Sequence, residues 1–345
     1  MGENHMQSDQ IFKKILVPTD GSLPSLVAQE LTAFMAKKLN SKVTVLHIVS
    51  HEPLTAERHR HVPHGFGQFP VETHVPASPA TSLPESVASE IANWYHQKGL
   101  KAVADAVALF KEEGIPVDQK LVEHVDPAET IIKEAQKGNY DVIVMGHSGE
   151  EEQEPHLGSV AEKVSRHAQT SVLIAREKRQ ISKILVPVDG SENAEEALQH
   201  AILLAKETDA KMTLLYVQES GLFKLRPKVT KEIGARILSN AADQIEGIKL
   251  DKKLESGDPA KTIIQTANKG DYDIIVMGSR GLGAIGRFLL GSVSDHIIHY
   301  SNRSVLIVRA RTKKHARKEV IGGAKMARHS RGHLPQEDKR YGVKL

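Results

Sequence analysis

Between Gly278 and Ser294 the chain reads GSRGLGAIGRFLLGSVS, with five glycines and three serines set directly after the apolar run Ile274, Ile275, Val276 and Met277. A loop without Cβ atoms lets backbone N–H groups approach phosphate oxygens closely. A helix is expected to start at about Ser292, and its N-terminus would favour an anion at the same place. Ser292 and Ser294 add hydroxyl donors. A nucleotide phosphate is the ligand that suits this chemistry. A second loop, Pro187-Val188-Asp189-Gly190-Ser191, follows an earlier apolar run and brings a carboxylate. Two better-known phosphate motifs fail here. Gly281, Gly283 and Gly286 fit G-x-G-x-x-G, but that fingerprint belongs after the first strand of its unit and here it follows the fourth. No Walker A run exists.

The elements that would carry these loops occur twice. KKILVPTDGS from Lys13 returns as SKILVPVDGS from Ser182, DPAETIIKEAQKGNYDVIVMG from Asp126 as DPAKTIIQTANKGDYDIIVMG from Asp258, and GSVAEKVSRHAQTSVLIAR from Gly158 as GSVSDHIIHYSNRSVLIVR from Gly291. Three blocks in one order make a duplicated domain, with boundaries near 9–178 and 179–310 and a tail from 311 to 345. The offset falls from 169 at the first block to 132 at the second, so the first copy holds about 37 extra residues. His51–Glu85, with six prolines and five histidines, reads as the insertion. The helix after it, near Ser86 to Glu113, is expected to be longer than its counterpart.

In the second copy the pattern predicts strands at Lys183–Val188, Met212–Val217, Lys249–Glu255, Asp273–Met277 and Ser304–Val308. Helices are predicted at Glu192–Glu207, Lys231–Glu246, Pro259–Lys269 and Ser292–Tyr300. Strands alternating with helices, and apolar without polar alternation, indicate a doubly wound α/β fold with a parallel sheet covered on both faces. Ligands in such sheets bind beyond the carboxyl ends of the strands, where strand order reverses.

Gly278 and Gly281, nine residues, then Gly291-Ser292 resembles the G-2x-G-9x-G-[ST] nucleotide signature of the universal stress protein family. ILVPVDGS and the GDPA of Gly257–Ala260 also resemble that family, and the likeness spans about residues 11–310. It implies two five-stranded parallel sheets of order 3-2-1-4-5, packed as an intrachain pseudo-dimer in which the last strands, Ser171–Ala175 and Ser304–Val308, pair. It also implies ATP as ligand, with AMP or ADP left open, and Mg2+ alongside. By resemblance Pro187, Val188 and Asp189 would flank the adenosine, with Asp189 near the ribose. Val217 would contact adenine, and Met277 and Gly278 would continue the base and ribose pocket. Gly281, Gly291, Ser292, Val293 and Ser294 would surround the phosphates. Arg280 would reach phosphate or serve in an exposed salt bridge, and Asp189 has the second reading of a helix cap.

The first copy departs from the signature. Gly146 and Gly149 are followed by only eight residues before Gly158-Ser159, and those include Glu150, Glu151, Glu152 and Glu154. Four carboxylates beside a triphosphate oppose binding, so this copy is expected to bind ATP poorly or not at all, unless a metal bridges glutamates and phosphates. Val125 stands where the second copy has Gly257. His59, His61 and His64 of the insertion suit a zinc chelate, yet a His-rich loop without cysteine reads first as merely polar. His47 reads as a packed strand residue, and Trp94 and Tyr95 as packing or partner surface.

Composition sets the remaining bounds. The 345 residues contain no cysteine, which excludes disulfides and thiolate chemistry. The net charge of +3 is uneven, since the tail from Arg311 has eleven Lys or Arg against three Asp or Glu, a net of +8, leaving the rest near −5. A mildly acidic body does not suggest nucleic-acid binding. The polar N-terminus and the lack of a long apolar run lead to the expectation of a cytoplasmic protein without a membrane span. The leading reading is an ATP-binding stress-response regulatory protein, with the nucleotide on the second domain and an unidentified protein partner. A slow ATPase or autokinase, and an interaction module that binds no nucleotide, are the alternatives. A dimer of chains stays open.

Overall fold

The computed structural model describes residues 11–49, 85–123, 126–148, 157–177, 179–219, 227–281 and 290–310. The insertion, the glutamate-rich loop with Gly149, Val125, and the tail lie outside the described residues. The first repeat runs β1 (Lys14–Pro18), α1 (Leu23–Leu39), β2 (Lys42–Val49), α2 (Glu85–Glu112), β3 (Val117–Glu123), α3 (Pro127–Lys137), β4 (Val142–Gly146), α4 (Ser159–His167) and β5 (Ser171–Ala175). The second runs β6 (Lys183–Pro187), α5 (Glu192–Thr208), β7 (Lys211–Glu219), α6 (Pro227–Ala242), β8 (Leu250–Gly257), α7 (Pro259–Lys269), β9 (Ile274–Gly278), α8 (Ser292–Tyr300) and β10 (Ser304–Val308).

One ten-stranded sheet takes all of them, in the order β3-β2-β1-β4-β5-β10-β9-β6-β7-β8. Each half is a parallel 3-2-1-4-5 sheet, and the halves join where β5 meets β10 antiparallel, with Leu306 opposite Leu173. The inner strands VIVMG, SVLIA, IIVMG and SVLIV are buried at every position, because helices cover both faces. The outer strands β3 and β8 mix exposed charges with half-buried apolar residues, as sheet edges do. One apolar layer carries α1, α2, α5 and α6, the other α3, α4, α7 and α8, and each runs through both repeats.

Duplicated sequence gives duplicated punctuation. Ser22 and Ser191 cap α1 and α5 with their hydroxyls, and Asn40 and Asp209 end them in the left-handed region. Asp126 and Asp258 cap α3 and α7 ahead of a proline. One sequence expectation shifts and another holds. Helix α6 lies four residues earlier than the pattern predicts, because Gln244 and Ile245 bond three residues back in a tightened turn that Gly247, at φ +75°, then leaves. Helix α2, with 28 residues, is indeed longer than the 16-residue α6.

The join is fastened reciprocally. Arg176, after β5, donates from its backbone N–H to Ser304 Oγ at 3.0 Å and from Nη2 to Ile298 O at 3.0 Å. Arg309, after β10, donates from its N–H to Ser171 Oγ at 3.1 Å and from Nη2 to Ser165 O at 2.5 Å. Arg166 adds a two-pronged ion pair to Asp295 at 2.9 and 3.1 Å.

Candidate functional site

In the second repeat, strand order reverses between β6 and β9, and two loops leave the sheet there side by side. After β6, buried Val188 donates its N–H to Leu215 O at 2.9 Å, fixing the start of the loop against β7. Gly190 turns at φ +81°, and the Ser191 N–H donates to Asp189 Oδ1 at 2.9 Å. Ser191, not Asp189, supplies the side-chain cap of α5, accepting from the Ala194 N–H at 3.2 Å. Asp189 braces the turn before the cap.

The second loop opens on Gly278. A Cβ there would lie 2.6 Å from the backbone C and O of Asn193, so this glycine is needed for the first turn of α5 to sit against β9. Gly281 is small for another reason, since a Cβ there would lie 2.5 Å from Asp189 Oδ2. The two loops therefore meet at the Asp189 carboxylate. Residues 282–289 lie outside the described residues, and the loop is closed behind them by Gly291 N–H to Ser279 O at 2.8 Å. Ser294 is buried and donates its hydroxyl to Gly278 O at 2.9 Å, tying α8 to the end of β9. Ser292 is exposed, and Val293, Arg280 and Pro187 are partly so.

Helix α8 begins on Gly291 with no side-chain cap, as α4 does on Gly158, whereas α1, α3, α5 and α7 are all capped by a Ser or Asp. The first N–H groups of a helix have no carbonyl of their own to bond. At α8 they lie at the end of the sheet where the two loops leave it.

The structure thus brings Pro187, Val188, Asp189, Met277, Gly278, Arg280, Gly281, Gly291, Ser292, Val293 and Ser294 to one end of the sheet. Val217, at the far end of β7, is half-buried against the α7 and α8 layer. Sequence reading passed over Tyr216. Its ring packs where a Cβ on Gly234 would come within 2.6 Å, and burial, then the Asp189 charge, push its phenol above the ordinary value.

The first repeat builds the same frame with other side chains. Ser22 N–H donates to Asp20 Oδ1 at 3.0 Å, a Cβ on Gly146 would lie 2.6 Å from the Pro24 carbonyl, and Gly158 N–H closes the loop on His147 O at 2.7 Å. His147 replaces Ser279; burial, then the Arg176 charge, lower its pKa, and its Nδ1 is buried without a hydrogen-bond partner among the described residues. Behind the loop, buried Thr19 Oγ1 accepts from Gln29 Nε2 at 3.0 Å and lies 3.3 Å from Ser25 Oγ. The matching residues of the second repeat are apolar: Val188, Ala194 and Leu198. His47 is the packed strand residue the sequence suggests, with Nδ1 2.7 Å from Thr19 O and its ring against Gly99. Trp94 and Tyr95 are exposed, edge to face at 5.0 Å.

The family model of the universal stress protein family matches residues 11–65, 71–176 and 180–309. The chain belongs to the universal stress protein family. A universal stress protein of Methanocaldococcus jannaschii is 35% identical over 143 residues, 38% of this chain and 84% of that protein. The universal stress protein YxiE of Bacillus subtilis is 34% identical over 147 residues, 37% of this chain and 99% of the relative. Each relative is about one repeat long. A universal stress protein structure from Archaeoglobus fulgidus covers 86% of this chain and 98% of its own, with a TM-score of 0.58 and 24% identity, and shares the tandem fold. No group of three metal-binding side chains occurs among the described residues of this universal stress protein, nor a helix long and apolar enough to cross a membrane.

Proposed function

We propose that this universal stress protein is a regulatory protein that binds ATP on its second repeat. The observation that carries the reading is that a helix start without a side-chain cap, at Gly291, and a glycine too crowded by the Asp189 carboxylate for a Cβ, Gly281, belong to the same loop. The residues present fit the nucleotide. The N–H groups of Ser292, Val293 and Ser294 and the Arg280 guanidinium would hold phosphate, while Asp189 would accept from ribose hydroxyls. Val188, Val217 and Met277 give apolar walls for a base, with Pro187 and Gly278 at their rim. Mg2+ would arrive on the phosphates, because the described residues here offer one nearby carboxylate. AMP or ADP would occupy the same seat with fewer phosphate contacts.

The first repeat, in this reading, is the pairing half. It keeps the frame and the reciprocal fastening, while its glutamate-rich loop opposes a polyphosphate. The bound nucleotide biases the conformation or assembly that a protein partner reads. Equilibrium binding of labelled ATP to wild type and to Gly281→Asp tests this. The substitution sets a second carboxylate against Asp189, so binding is lost with the fold retained; undiminished binding would refute the proposed seat.

A further inference from the structure

Two arginines leave the sheet on neighbouring strands beside the second loop. Arg280 is the second residue after β9 and Arg309 the first after β10. The parallel register pairs Gly278 with Val308, and Ser279 N–H donates to Val308 O at 3.0 Å, so the two arginines leave the sheet as neighbours. Arg280 is partly exposed, whereas Arg309 is only 9% exposed. The Nε–H of each is buried with no acceptor among the described residues. Arg309 spends Nη2 on the first repeat, donating to Ser165 O at 2.5 Å and Arg166 O at 3.3 Å, carbonyls of the last turn of α4. Burial, and then the charge of Arg280, hold the Arg309 guanidinium down to about 10. Among the described residues no carboxylate is bonded to either group. Two cations in partly buried surroundings disfavour each other, and an anion relieves both.

The first repeat supplies an internal contrast. Arg176 stands after β5 as Arg309 stands after β10, and it bonds the equivalent carbonyl, Ile298 O. The residue matching Arg280 there is Ser148, so between these two matching places the pair of arginines stands at the loop with the full glycine spacing and not at the other.

We propose that Arg280 and Arg309 form a seat for a polyphosphate anion, and that Arg309 carries its occupancy to α4 of the first repeat. This rests on the nucleotide reading above and adds to it the terminal phosphate as the signal. Arg280 touches the anion. Arg309 is a positioning residue: once its neighbour's charge is balanced, its bonds to the Ser165 and Arg166 carbonyls strengthen and Ser279 and Arg280 are held more firmly to the first repeat. A nucleoside triphosphate and a free polyphosphate share this chemistry.

The test uses the full chain, with ATP, AMP and tripolyphosphate as probes in calorimetry and thermal unfolding, on wild type, R280Q, R309Q, R309K and R176Q. R309Q removes the buried charge behind Arg280 and should weaken ATP and tripolyphosphate about tenfold, while AMP is unchanged. R176Q breaks the equivalent fastening but should leave ATP affinity as it was. R309K keeps the charge and should retain most of the affinity. Without ligand, R280Q should raise the melting temperature, because it removes the repulsion on Arg309, and ATP should then add little. That sign does not depend on R309Q folding. Equal ATP affinities for R309Q and R176Q, or a lower melting point for unliganded R280Q, overturn the seat while leaving the nucleotide reading intact. Wild type that binds tripolyphosphate but not ATP keeps the seat and refutes the nucleoside pocket; wild type that binds neither refutes both.

Discussion

Gly278 and Gly281 stand three residues apart in one motif, yet their surroundings demand opposite responses to a methyl group. At Gly278 the new Cβ meets the carbonyl carbon and oxygen of Asn193 at 2.6 Å, backbone atoms in the first turn of α5 that cannot swing aside. Helix and strand must separate by several tenths of an ångström, at a cost of about 1–3 kcal/mol for overpacking. In a chain of this size that is roughly 1–2 °C of melting temperature per kcal/mol. At Gly281 the Cβ meets Asp189 Oδ2, the end of a rotatable side chain, with the next atom at 3.7 Å. The carboxylate turns away, and stability changes by no more than about 0.5 kcal/mol. Gly281→Ala therefore keeps the wild-type melting point and loses ATP affinity, because Asp189 no longer faces the mouth. Gly278→Ala loses melting temperature, and Gly146→Ala, which meets Pro24 at the same 2.6 Å, should lose about as much without touching ATP affinity. Thermal unfolding and ATP titration on the three variants decide the matter. A Gly281→Ala protein that melts early and binds ATP normally would refute this division of roles between the two glycines.

Other consequences are as specific. Thr19→Val leaves Gln29 Nε2 without its buried acceptor and should cost about 1–3 kcal/mol, while the triple change to Val, Ala and Leu at Thr19, Ser25 and Gln29, the set of the second repeat, should recover at least half of that in urea unfolding. A double-mutant cycle on Arg166 and Asp295, both about a third or more exposed, should give a coupling of only about 0.5 kcal/mol, so the join is held chiefly by the β5–β10 core. His147 has a folded pKa below its ordinary 6.5, so the unfolded chain binds the extra proton first. Its contribution is whole above pH 6.5 and falls as pH drops toward the folded value. His147→Ser should flatten the stability profile across that window, measured by unfolding at stepped pH.

The sequence carries most of the scaffold because local and global signals agree. Caps at Ser22, Ser191, Asp126 and Asp258, apolar strands and helical spacing all lead to the same elements. The strand order and the β5–β10 pairing came through family resemblance, since nothing in SVLIA or SVLIV alone says which strand lies beside it. The end of α6 was misjudged because apolar spacing continues through Ile245 after the backbone has already tightened. Within the site, the glycine spacing was legible, but its division of labour was not. That Gly278 faces Asn193 and Gly281 faces Asp189 depends on how α5 lies on β9. Arg309 was invisible as a site residue, for it lies past the last strand and acquires its neighbour through the β9–β10 register and its bond through the join with the first repeat. Expectations for His59, His61, His64, Glu150–Glu154 and the basic tail fall outside the described residues.

Calorimetric titration of the whole chain with ATP and Mg2+ tests the central claim most directly. One nucleotide per chain is expected, lost in Gly281→Asp. Two nucleotides per chain would contradict the silent first repeat, and no binding at all would contradict the seat itself.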